Sequence, residues 1–297
     1  MRRAALHLAL RPVTHVLNEG NMPFAMDPHH ASFAFEVAAG FYGDRRLGVV
    51  FHGSEARGPA LAKELDEASY FFDADPEWVR TTEERTARNR REVADLGVPV
   101  FVTTPDLLAH VPGSTLLPIS VDAESWRGSF PAMQSTTPRV LHRGSGGGNA
   151  KGSAYILPVL EDLARAGRIE LVRPAVVRRS DMAALIRSAD IVVDQLQTGT
   201  YGVTGIEALA AGRVVVANIS AHRETARDRP PMIDADPQTF RVAMEDILDD
   251  PDSAIRVAQR GPEYVRRWHD GREAARVLSA FVHGGEQSFG GEPRTTR

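Results

Sequence analysis

Arg139-Val140-Leu141-His142 runs through Arg143 into Gly144-Ser145-Gly146-Gly147-Gly148-Asn149-Ala150-Lys151-Gly152-Ser153. Further on, Asp190-Ile191-Val192-Val193-Asp194 leads to Tyr201-Gly202-Val203-Thr204-Gly205-Ile206-Glu207-Ala208-Leu209-Ala210-Ala211-Gly212. Each half reads as a strand, a glycine-bearing turn and a helix entry. The first turn carries a lysine and the second places a glutamate just inside its helix. Together the turns offer amides and a cation to a diphosphate, and the glutamate can accept hydrogen bonds from ribose hydroxyls. Each turn alone has a plain structural explanation: a solvated lysine on a surface loop, and a glutamate favoured by the helix dipole.

Two familiar labels fail on the first turn. A P-loop needs Gly-Lys-Ser/Thr, and here the order is Ala150-Lys151-Gly152-Ser153. The dinucleotide fingerprint needs its third glycine where Asn149 stands. Ser145 does not meet the Gly-x-Ser-x-Gly pattern of a nucleophile elbow.

Outward from this stretch, short β-branched runs recur at Val13–Leu17, Leu47–Phe51, Pro99–Thr103, Arg139–His142, Ile169–Val172, Asp190–Asp194 and Arg213–Ala217. Continuous apolar runs suit strands buried on both faces of a parallel sheet. Amphipathic helical stretches separate them at Ser32–Phe41, Thr82–Leu96, Tyr155–Ala166, Asp181–Ser188 and Val203–Ala211. The alternation predicts a doubly wound α/β protein. A polar, proline-bearing stretch from Glu124 to Pro138 marks a boundary. The expected organisation is an amino-terminal domain over 1–130, a second over 131–283 ending in helices at Pro237–Asp249, Asp252–Trp268 and Gly271–Val282, and a disordered tail over 284–297.

The chain has 297 residues, 42% of them hydrophobic and 25% charged, which is enough to bury a proper core. A net charge of −4 gives no electrostatic footprint for nucleic acid. The absence of cysteine removes disulfides, thiolate metal sites and cysteine nucleophiles. Met1–Leu10 has an apolar run too short and too interrupted for a signal peptide, and no run reaches membrane-spanning length. A cytoplasmic protein is expected. Lys63 and Lys151 are the only lysines among 35 basic residues, which sets Lys151 apart as a compact point charge suited to phosphate. Asp73-Ala74-Asp75 imitates a metal motif, yet it precedes Pro76 and reads as a turn after a helix. His29-His30 has no third ligand at metal spacing nearby, so no metal is expected.

Lys151-Gly152, the block Gly202–Gly212, Phe51-His52-Gly53-Ser54-Glu55-Ala56-Arg57 and Gly261–His269 together resemble the retaining, nucleotide-sugar-dependent glycosyltransferases of family 4. The resemblance spans roughly Phe51 to Phe281 and is most specific in the carboxyl half. It implies the GT-B fold, two Rossmann-like domains, with the amino-terminal one shortened. About four candidate strands precede Pro138, whereas a GT-B half carries roughly six. It also implies a UDP- or GDP-linked sugar donor, an unspecified acceptor (glycan, lipid or small molecule), no cofactor and no metal. Lys151 and Arg143 would neutralise the departing diphosphate, with amides of Gly202, Val203 and Thr204 adding to this. Tyr201 would complete the donor-binding set, Glu207 would hold the ribose, and His52 would contact the sugar or acceptor. His52 and Lys151 are the implied catalytic residues. Relatives often carry a second glutamate eight residues before the one at Glu207, where this chain has Gly199. That difference, with the short first domain, keeps a non-catalytic GT-B-like protein that binds nucleotide sugar or a partner in view. A sugar-nucleotide epimerase would need acid/base carboxylates, for which Glu19 and Glu55 are the candidates.

Overall fold

A computed structural model describes residues 2–28, 31–128, 132–144, 151–174, 176–222 and 229–284. Residues 285–297 of the expected tail and residues 145–150 of the glycine-rich turn lie outside the described residues. The chain forms two compact units, each built around its own parallel sheet. The first unit takes Met1–Leu61, Pro76–Pro118 and Ala274–Arg297, and the second takes Ala62–Asp75 and Ile119–Glu273. The division therefore falls at 118/119 rather than at 130, and it is not contiguous in sequence.

In the first unit β1 (His15–Glu19), β2 (Arg46–Phe51), β3 (Val100–Val102) and β4 (Thr115–Leu116) lie side by side in that order, all parallel. Right-handed crossovers that all advance in one direction put their helices on one face of a sheet. On that face Val49, Phe51 and Val102 pack with Phe33, Tyr42, Val93 and Leu107. Alternation sends Val50 and Phe101 to the other face, where Phe281 covers them together with Leu117. Phe281 belongs to the helix Arg272–His283, which the sequence reading placed with the carboxyl-terminal domain. From Ala274 it groups with the first unit, because it buries that second face.

In the second unit β5 (Arg139–His142), β6 (Glu170–Val172), β7 (Ile191–Val193), β8 (Val214–Ala217) and β9 (Ile233–Asp234) form a five-stranded parallel sheet. The spatial order is β6-β5-β7-β8-β9. Leu141, Val192 and Val215 face one apolar layer, and Val140, Ile191, Val193, Val214 and Val216 face the other. Burial on both faces is what the β-branched runs of the sequence require.

All seven expected strands form. The two-residue strands β4 and β9 carry too little pattern to be read. The expected single helix Asp252–Trp268 is instead two, Pro251–Ala258 and Gly261–Trp268. At the break Gly261 lies so close to the helix Val203–Ala210 that a Cβ would stand 2.6 Å from the Leu209 carbonyl oxygen. Only glycine fits that approach.

Candidate functional site

The second sheet reverses its strand order between β5 and β7. In open α/β sheets, ligands bind at such a switch point, beyond the carboxyl ends of the strands. Here β5 ends at His142 and β7 at Val193, directly ahead of Arg143 and Asp194.

His142 ties the two strands together. Its Nδ1 lies 3.0 Å from the Val193 carbonyl oxygen, and its Nε2 lies 2.8 Å from Ser153 Oγ. A carbonyl only accepts, so Nδ1 carries the proton and Nε2 accepts from the Ser153 hydroxyl. Burial pushes this imidazole below its ordinary pKa, which keeps it neutral. Ser153 opens the helix Ser153–Arg165 behind Gly152, whose φ of 74° is left-handed. The glycine of the Lys151-Gly152 pair is thus favoured by backbone geometry, and the Lys151 carbonyl accepts from the Leu196 amide at 3.3 Å.

The Lys151 ammonium lies 3.3 Å from Asp194 Oδ1, and the Asp194 side chain is fully buried. Asp194 Oδ2 accepts the Gly202 N–H at 2.6 Å, which fixes the N-cap residue of the helix Val203–Ala210. A Cβ at Gly205 would stand 2.9 Å from the same oxygen, and one at Gly202 would stand 3.3 Å from it. The glycine spacing therefore makes room for a carboxylate. Sequence reasoning placed Asp194 at a strand end and assigned it no role in the site.

Glu207 is buried on the second turn of that helix. Burial raises its pKa to about 7, Asp194 pushes in the same direction, and Arg179, Arg143 and Lys151 oppose. Arg143, Lys151 and Arg179 are thus within electrostatic reach of the carboxylate. Among the described residues the Glu207 carboxylate has no hydrogen-bond partner. Arg179, at the start of the helix Arg179–Ser188 that follows β6, had no sequence motif to signal it.

Two expected donor contacts need revision. The Gly202 amide is already engaged by Asp194. Tyr201 turns inward: its hydroxyl bonds Tyr264 Oη at 3.1 Å and His269 Nε2 at 2.9 Å, and its ring stacks on His222 at 4.6 Å. The Tyr201 side chain is a packing element that ties this turn to the helix Gly261–Trp268. Thr204 is buried and Val203 half-exposed, leaving their backbone amides as orphan donors of the first helical turn.

Gly199 has φ +66°, and a Cβ there would meet Ser220 Oγ at 2.9 Å and Asp66 Oδ2 at 3.2 Å. The turn has no room for a glutamate side chain in this conformation. His52 stands in the first unit, just after β2. Its amide donates to Glu55 Oε1 at 3.1 Å, and its Nε2 lies 3.8 Å from Glu19 Oε1. The second unit thus gathers Arg143, Lys151, Asp194, Arg179 and Glu207, and His52 belongs to a separate group with Glu19 and Glu55. Among the described residues no cluster of three or more acids or histidines is placed to hold a metal ion, and no helix is long and apolar enough to cross a membrane.

No family model matches the chain. A D-inositol 3-phosphate glycosyltransferase of Corynebacterium kroppenstedtii is 26% identical over 224 residues, covering 68% of this chain and 48% of that protein. The chain spans about half the length of this curated relative. A glycosyltransferase structure from Rickettsia africae aligns over 97% of this chain and 81% of its own, with a TM-score of 0.60 at 13% identity. Anabaena HepE in complex with UDP aligns over 95% and 82%, with a TM-score of 0.60 at 12% identity. The chain has the GT-B fold. The sucrose-phosphate synthase of Thermosynechococcus elongatus has the same GT-B likeness, with a TM-score of 0.56 at 16% identity over 81% of this chain and 68% of its own. The resemblance drawn from the sequence is borne out in the fold and in both parallel sheets of this GT-B chain. At such identities the structures speak for the fold and not for any residue.

Proposed function

We propose that the protein is a glycosyltransferase that binds a nucleotide-diphosphate sugar at the switch point of its second unit and transfers the sugar with retention, without a metal. The observation that carries this reading is Lys151, held against buried Asp194 at the switch point and at the start of the helix Val203–Ala210, with Arg143 and Arg179 within electrostatic reach of buried Glu207. Cations and orphan amides at a helix start suit a diphosphate, and a buried carboxylate beside them suits ribose hydroxyls. The complexes of Anabaena HepE with UDP and with UDP-glucose, on the same fold, agree with this choice of ligand.

In the proposed reaction the bond between the anomeric carbon and the diphosphate oxygen breaks. The acceptor oxygen bonds to that carbon from the same face, and its proton passes to the departing diphosphate. Lys151 and Arg143 stabilise the charge growing on the leaving group. This is positioning and electrostatic stabilisation, with no covalent intermediate. These protein cations take the charge-neutralising role that a metal would otherwise fill. His52 is assigned to the acceptor side.

Gly199 favours a second reading, a GT-B protein that binds the nucleotide sugar without transferring it, because that turn brings no side chain of its own to the site. Incubation with a panel of UDP- and GDP-linked sugars separates the two. Release of nucleotide that depends on an acceptor supports transfer, whereas tight binding with no release over many hours supports the binder.

A further inference from the structure

Ala62–Asp75 lies between two stretches of the first unit in sequence and groups with the second. Among the described residues, these hydrogen bonds hold it there. The Tyr70 amide donates to the Gln197 carbonyl at 3.1 Å, and Gln197 Nε2 donates to Asp73 Oδ2 at 2.8 Å. The Tyr155 hydroxyl donates to the same Asp73 oxygen at 2.9 Å, and Asn218 Nδ2 donates to Asp66 Oδ2 at 3.1 Å. Asn218 follows β8, Gln197 follows β7, and Tyr155 stands on the helix that follows β5. The segment is therefore a strap laid along the carboxyl edge of the sheet, the edge at which such folds bind ligands.

Asp66 has a defined place on that edge. Its Oδ1 accepts the Ala68 amide at 2.9 Å, so both carboxylate oxygens are oriented. Asn218 is itself fixed by the Leu196 carbonyl and the Ser220 amide. The carboxylate lies against the bare face of Gly199, in the space a side chain there would enter. Along the edge, Arg179 opens the helix that follows β6. Lys151 and Asp194 mark the centre at β5 and β7, and Asp66 marks the β8 side. On the nucleotide-sugar reading, a ribose at Glu207 and a diphosphate at Lys151 leave the Asp66 side of the edge for the glycosyl group.

We propose that Asp66, delivered by the strap Ala62–Asp75 into the space left by Gly199, accepts hydrogen bonds from glycosyl hydroxyls and selects neutral sugars over uronosyl ones. The inference rests on the nucleotide-sugar reading of this site. A fixed carboxylate accepts strongly from hydroxyls and repels a second carboxylate.

Calorimetry on the full chain tests it, using UDP, UDP-glucose and UDP-glucuronate, or GDP, GDP-mannose and the matching uronosyl nucleotide if guanosine is the base bound. Asp66→Ala is expected to leave nucleoside diphosphate affinity unchanged and to lower nucleotide-sugar affinity by about ten-fold, the loss typical of one hydrogen bond to a charged group. Asp66→Asn, which can still accept from Asn218, is expected to narrow the preference for the neutral sugar over the uronosyl one. Equal losses for the diphosphate and its sugar would mean that Asp66 only shapes the turn, and unchanged sugar affinity and preference would also overturn the inference while leaving nucleotide binding intact. Failure of the unsubstituted chain to bind any of these nucleotides would overturn the reading of the site and this inference with it.

Discussion

Lys151 and Asp194 face each other 3.3 Å apart at the switch point of the second sheet, with the carboxylate fully buried and also bonded to the Gly202 amide. Asp194 is a built-in anion at the place where a lysine and a helix start would attract one. It holds Lys151 and the turn in position, and it also subtracts one charge from what a diphosphate meets.

Asp194→Asn is expected to keep the bond from Gly202, since an amide oxygen accepts as a carboxylate does, while removing the charge opposite Lys151. UDP or GDP should then bind several-fold tighter, with a lower melting temperature from the lost ion pair. Weaker nucleotide binding in calorimetry, with the fold intact, would show that positioning outweighs charge.

Lys151→Ala removes a charge-assisted contact and leaves Asp194 buried without its cation. Nucleoside diphosphate binding should fall by about 2 kcal/mol, or roughly thirty-fold. Stability should fall as well, by about 2 to 3 kcal/mol in denaturant unfolding, because breaking a buried pair exposes the cost of the remaining charge. Unchanged nucleotide affinity would remove Lys151 from the site.

Glu207 gives the site a pH dependence with a definite sign. Burial raises its pKa to about 7, so the folded protein holds this proton more tightly than the unfolded chain. Its contribution to stability is present below the ordinary carboxyl pKa and is lost as pH rises toward and through 7. Glu207→Gln should flatten the decline in melting temperature between pH 5 and pH 8. Nucleotide affinity, which needs the carboxylate for ribose, should rise through about pH 7 in the parent and stay low and flat in the variant.

His110 titrates in the opposite sense in the first unit. It accepts the Gly58 amide on Nδ1 at 3.2 Å, and burial lowers its pKa to about 4. Asp106 and Glu83 oppose the shift, and Arg57 and Arg90 add to it. A base with a depressed folded pKa loses stability as pH falls, here from about 6.5 toward 4. His110→Gln should unfold at a melting temperature less sensitive to acid over that window, although lower at pH 7 because a packed ring is lost.

Tyr201→Phe separates packing from binding. Removing the hydroxyl deprives Tyr264 Oη and His269 Nε2 of a buried partner, at a cost of about 1 to 3 kcal/mol. Nucleotide affinity should not change. A selective loss of affinity without loss of stability would return Tyr201 to the ligand.

The strands, the α/β alternation and the positions of Lys151 and Glu207 were legible because their signals are local. Buried parallel strands write themselves as unbroken β-branched runs, and glycine turns with a charged residue mark the strand-to-helix passages between them. The sequence by itself determined the strands of each sheet and the two glycine-bearing turns that follow β5 and β7. Tertiary structure alone decided the rest, since it depends on residues far apart in the chain. Asp194 acquires its role from Lys151, 43 residues away, and Asp66 meets Asn218 across 152 residues. Tyr201 turned inward because His269 and Tyr264 offered it buried partners. Gly199 looked like a missing carboxylate in the sequence. In the fold it is a left-handed turn whose empty side admits a carboxylate from elsewhere, because only a residue without a Cβ lets another side chain come that close.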